Sequence, residues 1–337
     1  MSPTPTNDQN AAVRQFAQTL EEDEELFKLG QYSFRPFFTY PPNSPRVFVK
    51  VGGVEFKQGE GDMQRIAYEW MRRERERDPT CNIYVPEVFK IFTKGGGLTF
   101  IIMELLDKAK PVEHQLRTLD GATCDRNEPI YYRMIADGIH RLSRIPVPQG
   151  ATPGPFTLGE RRIKHILFKD HEAPIVYPTV QDLEDHLNRI VLRMPKYRRT
   201  PDQAPRITFE RDLTFCYTDF NDENFMIETE ADGRPRLYII DFEHASFLPI
   251  SFLAHAVYMP QSLNRWEHVT KWVAERFGHS LPQTNVRLMD EVRALWVMSV
   301  SKIGLTEAQR QRSTIQDAQD VAGCSQDLVP HSDGNFT

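Results

Sequence analysis

The hydrophobic pattern changes character partway along the chain. Near the start, Val13, Phe16, Ala17 and Leu20 recur at i, i+3, i+4 and i+7, which predicts an amphipathic helix. An acidic run, Glu21 to Glu25, follows and reads as a solvated face, and Gly30 can end the helical stretch. Shorter apolar runs come next. Val47 to Val51 predicts a strand. Val88 to Phe92 and Thr99 to Glu104 predict two more, joined as a hairpin across Lys94-Gly95-Gly96-Gly97. Between the first strand and the hairpin, Ile66, Ala67, Trp70 and Met71 share one face of a helix from Asp62 to about Glu76. Beyond Glu104 the periods lengthen. Met134, Ile135, Ile139 and Leu142 mark a helix stopped by Ile145-Pro146-Val147-Pro148. Leu183, Leu187 and Ile190 mark a second, Trp266, Val269, Val273 and Phe277 a third, and Asn285 to about Leu305 a fourth. The pattern predicts a small sheet-rich lobe over residues 11–106 and a large, mainly helical lobe over 107–307. Polar residues 1–10 are expected to be disordered, and 308–337, rich in Gln, Ser and Asp, to form a weakly ordered tail.

One segment departs from this plain alternation of helices. Phe225 to Ile227 and Leu237 to Ile240 read as antiparallel strands around the polar turn Glu230 to Pro235. Asn224 starts the first strand and Asp241 ends the second, so both lie at the open end of the hairpin. Asp219 lies on the loop leading in. An amide oxygen and two carboxylates thereby meet at one place. Magnesium is a hard cation that takes a few such oxygens and completes its shell with water and phosphate. Phosphoryl transfer needs that ion and a carboxylate to orient the attacking hydroxyl. The D-x-x-x-x-N spacing followed by a strand-borne Asp is the arrangement of a kinase catalytic loop and its metal ligand. An isolated D-x-x-x-x-N would only make turns. The hairpin and Ile-Ile-Asp-Phe-Glu favour the chemical reading.

Composition narrows the classes. Hydrophobic residues make up 40% and charged residues 26% of 337 residues, as in ordinary globular chains. The net charge of −6 lacks the basic footprint of a nucleic-acid binder. No apolar run reaches membrane-spanning length, and the first ten residues do not resemble a signal peptide. The four cysteines form no C-x-x-C, which fits a reducing compartment and a cytoplasmic protein. His140, His165, His171, His186, His244 and His255 show no metal-ligand spacing and read as surface or core residues. No G-x-S-x-G elbow is present.

The catalytic segment Tyr217-Thr218-Asp219-Phe220-Asn221-Asp222-Glu223-Asn224 and the metal segment Ile239-Ile240-Asp241-Phe242-Glu243 resemble those of the aminoglycoside phosphotransferase and choline kinase-like family, especially its fungal members of unknown substrate. Val85 to Phe89 and Phe100 to Glu104 look like the family's last small-lobe strands and hinge. Ile145 to Pro148, Pro153 to Phe156 and Asp182 to Glu184 look like landmarks of its large lobe. The likeness runs from about residue 45 to 275 in matching order. It implies an α+β, protein-kinase-like two-lobed fold, with a small antiparallel-sheet lobe that binds nucleotide and a large helical lobe. It implies ATP and Mg2+ as cofactors, a small-molecule acceptor, and no nucleic-acid or membrane partner. Carried over position by position, Asp219 is the catalytic base, and Asn224 and Asp241 are the magnesium ligands. Lys50 holds the α- and β-phosphates, and Glu104 to Leu106 offer hinge groups to adenine.

Three positions depart from the family pattern. Tyr217 and Thr218 replace the His and Gly before the catalytic Asp. Gln64 occupies the helix position of the glutamate that pairs with the lysine, with Glu60 one turn earlier on the same face. The phosphate-covering stretch Gly30 to Phe38 has one glycine and four aromatics, which implies weak ATP binding. The chain is expected to transfer the γ-phosphate of ATP to a hydroxyl of a small molecule. The alternative is a catalytically impaired or repurposed member that binds a ligand or partner. Gly154 to Asp170 and the helices after Phe242 are expected to shape the acceptor pocket. Asp219, Asp222, Glu223, Asp241 and Glu243 would crowd five carboxylates there and favour an amine-bearing acceptor.

Overall fold

The structure, a computed structural model, describes residues 7–32, 36–94, 97–159, 162–259 and 267–325. The first lobe is built on a four-stranded antiparallel sheet of order β1-β2-β5-β4, from β1 Phe37–Tyr40, β2 Val47–Gly53, β4 Val88–Lys94 and β5 Leu98–Met103. Strand alternation decides what each face carries. Val47, Val49 and Val51 are buried, and with Phe92, Phe100 and Ile102 they form a core under two N-terminal helices, α1 Asn7–Thr19 and α2 Glu24–Tyr32. Phe48 and Lys50 point to the other face. There Val88, Ile101 and Met103 make a second, smaller apolar patch with Phe48 and Ile91.

Helix α3, Val54–Arg77, leaves β2 directly and begins eight residues before the predicted start at Asp62. Gly59 and Gly61 weaken the helical signal there. Gly61 lets α3 lie close to the sheet, because a Cβ at this position would stand 2.5 Å from the Ile91 side-chain end and force it to shift. The inner face of α3, Met63, Ala67 and Met71, packs into the core of the large lobe. Its far end is pinned by Trp70, whose indole donates to the Arg141 carbonyl at 2.9 Å. The Arg141 guanidinium in turn pairs with Glu74, Asp78 and Asp137.

The large lobe contains α4 Val112–Arg117, α5 Gly121–Leu142, α6 Val180–Val191, α7 Ile250–Tyr258, α8 Glu267–Phe277 and α9 Val286–Val297. Their apolar faces merge into one core around Trp296, Phe252, Phe168 and Leu187. Helix α9 stops short of the predicted Leu305: the Trp296 indole donates to the Ser301 carbonyl, and Gly304 turns with φ +78°. Two small sheets carry the interior of this lobe. The predicted hairpin is β8 Phe225–Thr229 and β9 Pro235–Ile239, extended by β6 Lys110–Pro111 on one side and by parallel β3 Ile83–Tyr84 on the other. The other sheet pairs β7 Leu213–Tyr217 with β10 Ala245–Pro249.

Both chain ends differ from the sequence pattern. Asn7 to Asn10 lie within α1, and Glu307–Ser325 forms helix α10 where a weakly ordered tail is expected. Ser313 on α10 is buried and donates to the Pro174 carbonyl at 3.0 Å. Residues 1–6 and 326–337 lie outside the described residues. No helix among the described residues is long and apolar enough to cross a membrane.

Candidate active site

The cleft between the lobes collects the residues singled out in the sequence. The β8–β9 register pairs Phe225 with Ile239, and the Ile240 amide donates to the Asn224 carbonyl at 3.0 Å. Asn224 and Asp241 therefore sit side by side at the open end of the hairpin. Asp219 approaches along the loop after β7, where its carboxylate accepts from the Asn221 amide at 3.2 Å. The Asn221 side chain caps the next turn by accepting from the Glu223 amide at 3.0 Å. The loop thus shapes itself through short Asx turns. The pairing of β7 with β10 was not legible in the sequence. It sets Tyr217 opposite Ala245, so the Asp219 loop and the Asp241–Glu243 loop emerge from the same sheet end. Thr218 ties them by donating to the His244 carbonyl at 3.0 Å.

Tyr217, in place of the family histidine, has a visible task. Its ring is fully buried, and its hydroxyl donates to the Ile240 carbonyl at 2.6 Å, one residue before Asp241. Asp241 itself has φ +59°, in the left-handed region, so its backbone needs such support. Tyr217→Phe is expected to cost about 1 kcal/mol of stability through the orphaned carbonyl, measurable by denaturant unfolding, without abolishing the site.

Lys50 reaches the cleft from β2. Its ammonium is 2.5 Å from Glu60 and 3.3 Å from Asp241. Burial works against its charge, but the two carboxylates outweigh burial and raise its pKa above the ordinary lysine value. Gln64 does not take part. Its buried amide donates to the Pro86 carbonyl at 2.9 Å and to Met103 Sδ at 3.6 Å. The expected pairing of Gln64 with Lys50 is therefore corrected to Glu60, one helical turn nearer β2. Because α3 starts at Val54, that earlier turn is the one facing the lysine. Glu60→Gln is expected to lower turnover about 10²-fold by releasing Lys50 from its position, seen in steady-state kinetics. Gln64→Glu should bring no gain. It would set a carboxylate against the Pro86 carbonyl and cost about 1–3 kcal/mol in an unfolding titration.

Two lysines were missed by sequence reasoning. Lys57 bonds Glu60 at 2.6 Å and stands 3.5 Å from Glu243, and Lys164 pairs with the same Glu243. Lys57 lies on the early turn of α3 that the glycines obscured. Lys164 comes from a distant loop and carries no local signal. Glu60, Asp241 and Glu243 place carboxylate oxygens within 4.8 Å of one another, yet Lys50, Lys57 and Lys164 already share that charge. The five expected carboxylates do not act together. Glu243 is held by lysines, which pull its pKa below the usual value despite burial. Glu223 is exposed, and burial pushes Asp222 up to about 6.

At the hinge, the Glu104 amide donates to the Glu87 carbonyl at 2.9 Å, and the Glu104 carboxylate accepts from the Glu87 amide at 3.2 Å. What Glu104 can offer a ligand is its carbonyl, with Leu106 two residues on. Burial raises the pKa of the Glu104 carboxyl. Of the covering stretch Gly30 to Phe38, Ser33, Phe34 and Arg35 lie outside the described residues.

The arrangement combines hard oxygen donors, a fixed ammonium and a partly exposed carboxylate around a cleft beside an apolar patch. Residues 59–285 match the sequence model of the phosphotransferase enzyme family. The chain belongs to that family. Its fold is α+β and protein-kinase-like, with the two lobes described above. Among solved structures, the aminoglycoside phosphotransferase APH(4)-Ia in ternary complex with AMP-PNP and hygromycin B is 13% identical, with a TM-score of 0.44, over 89% of this chain and 96% of that one. The GDP and kanamycin complex of the aminoglycoside phosphotransferase APH(2")-IIIa is 14% identical, with a TM-score of 0.39, over 93% and 98%. The choline kinase LicA from Streptococcus pneumoniae is 13% identical, with a TM-score of 0.36, over 87% and 90%. No curated protein matches the chain.

Proposed function

We propose that this phosphotransferase moves the γ-phosphoryl group of ATP to a hydroxyl of a small molecule. The observation that carries this reading is the convergence of Lys50, Asp241, Asn224 and Asp219 on one cleft, with Lys50 held by a fully buried Glu60. The residues suit magnesium. Asp241 Oδ1 is buried with the Lys50 ammonium 3.3 Å away as its one close cation among the described residues, and Asn224 at the same hairpin end supplies a hard amide oxygen. When bound, the ion would neutralise phosphate charge and polarise the γ-phosphoryl group.

The side chains divide the work. Lys50 holds the α- and β-phosphates. Phe48, Ile101 and Met103 line an apolar floor for adenine, and the Glu104 carbonyl and the Leu106 backbone meet its edge. Asp219 accepts a hydrogen bond from the acceptor hydroxyl and takes its proton as the oxygen attacks. The acceptor O–Pγ bond forms, the bond from Pγ to the β-phosphate bridging oxygen breaks, and ADP leaves with that electron pair. Glu60 removes the main argument for an impaired site, because Lys50 keeps an ionic partner without Gln64. Cys81, Cys124 and Cys216 are free thiols, which suits a cytoplasmic enzyme. The reading is tested by ATP consumption across a panel of hydroxyl compounds. Acceptor-dependent ADP release supports it, and ADP release that no compound changes opposes it.

A further inference from the structure

A cavity of about 530 Å³ opens beside the catalytic loops, with Glu243 and His244 in its wall. Glu243 lies two residues beyond Asp241, and His244 is tied to Thr218, the neighbour of Asp219. The His171 ring lines the same cavity, packs edge-on against His244 and feels the charge of Asp219. The cavity therefore borders the loops that carry Asp219 and Asp241, with Glu243 and His244 as the link and neither aspartate in its wall.

Its far wall is built unlike its near wall. Arg162, from the segment before α6, and Lys302, from the turn after α9, close on one carboxylate, Asp317 of α10. The distances are 2.5 Å from Arg162 and 2.8 Å from Lys302. Two cations from distant parts of the chain meeting at one point make a receptor for an anionic group. Arg162 also reaches Glu172, at 3.5 Å. The other charges of the wall are otherwise arranged. Glu243 is held by Lys57 and Lys164, Lys169 donates to the Ser299 carbonyl at 2.6 Å, and Asp170 is exposed at the rim. Asp317 differs from the other carboxylates in coming from the C-terminal helix. Its side chain is 41% exposed, so a solute can compete for its two partners.

We propose that this cavity is the acceptor site and that it selects a hydroxyl compound bearing an anionic group, whose place between Arg162 and Lys302 is held by Asp317 until the acceptor arrives. The proposal rests on the phosphotransfer reading and names the substrate class for it. It departs from the expected amine-bearing acceptor, because two of the five carboxylates behind that expectation, Asp241 and Glu243, already pair with lysines. The electrostatics agree: burial disfavours the Asp317 charge, but Lys302 and Arg162 hold its pKa below the usual carboxylate value. α10 then acts as a wall whose carboxylate the acceptor displaces.

The test is calorimetry with glycerate, glycerol and ethanolamine on the full chain and on Asp317→Asn, followed by ATP turnover with the same three compounds. Glycerate should bind Asp317→Asn about tenfold tighter than the parent, with a matching fall in KM. Arg162→Gln, checked as folded by thermal unfolding, should lose glycerate binding, and inorganic phosphate should compete in both parent and Asp317→Asn. Unchanged glycerate affinity in Asp317→Asn overturns the proposal, as does tighter binding of ethanolamine than of glycerate. Phosphorylation of glycerol or ethanolamine as fast as glycerate also overturns it, while leaving phosphotransfer standing. Tight glycerate binding to Asp317→Asn with no phosphoester formed supports the anion site and counts against the phosphotransfer reading instead.

Discussion

Asp219→Asn is expected to cut turnover by roughly 10²–10⁴-fold, the usual worth of a positioned general base. The substitution keeps the size and planarity of the side chain. Its Oδ1 can still accept from the Asn221 amide, so the loop should hold its shape. What disappears is the negative charge that draws the acceptor proton. ATP binding should change little, because Lys50 is held by Glu60 and Asp241 and not by Asp219. Rapid-quench turnover beside calorimetric binding of magnesium-ATP separates the two effects. A variant with parental turnover would remove Asp219 from the mechanism.

Asp241→Ala should be as damaging, by a different route. The carboxylate stands 3.3 Å from the Lys50 ammonium, at the hairpin end that also carries Asn224. Without it, a magnesium ion bound as proposed would lose a ligand, and Lys50 would lose one of its two carboxylates. Metal assistance is worth several kcal/mol, so a fall in turnover of more than about 10²-fold is expected. Magnesium-dependent ATP binding should fall with it. Alanine also tolerates the left-handed backbone poorly, so Asp241→Asn, which tolerates it well, is the control for folding. Calorimetry that finds unchanged magnesium-ATP binding in Asp241→Ala would remove it as the metal ligand.

Local patterns were the legible part of this chain. Val47, Val49 and Val51 alternate with Phe48 and Lys50, and that alternation alone turns Lys50 toward the cleft. The period change after Glu104 marks where the long helices begin, although Met63, Ala67, Met71 and β3 before it also pack with them, and the Glu230 to Pro235 turn brings Asn224 to Asp241. What stayed hidden depends on contacts between distant segments. The β7–β10 pairing has no turn to announce it, and parallel β3–β9 pairing joins residues more than 150 positions apart. The start of α3 was lost because Gly61 looks like a breaker, when in the fold it sits inside the helix against the end of the Ile91 side chain. Lys57 was lost with that turn. Helix α10 is polar in pattern, and Ser313 against Pro174, Gln309 against Arg189 and Asp317 between Arg162 and Lys302 show why it docks.

Transfer of a phosphoryl group from ATP to a hydroxyl can be followed by phosphorus NMR. The protein is incubated with magnesium, ATP and a mixed pool of small hydroxyl compounds that includes hydroxy acids. A phosphomonoester resonance should grow in step with ADP and be absent with Asp219→Asn. ATP that persists unchanged, or ADP appearing only with inorganic phosphate, would contradict it.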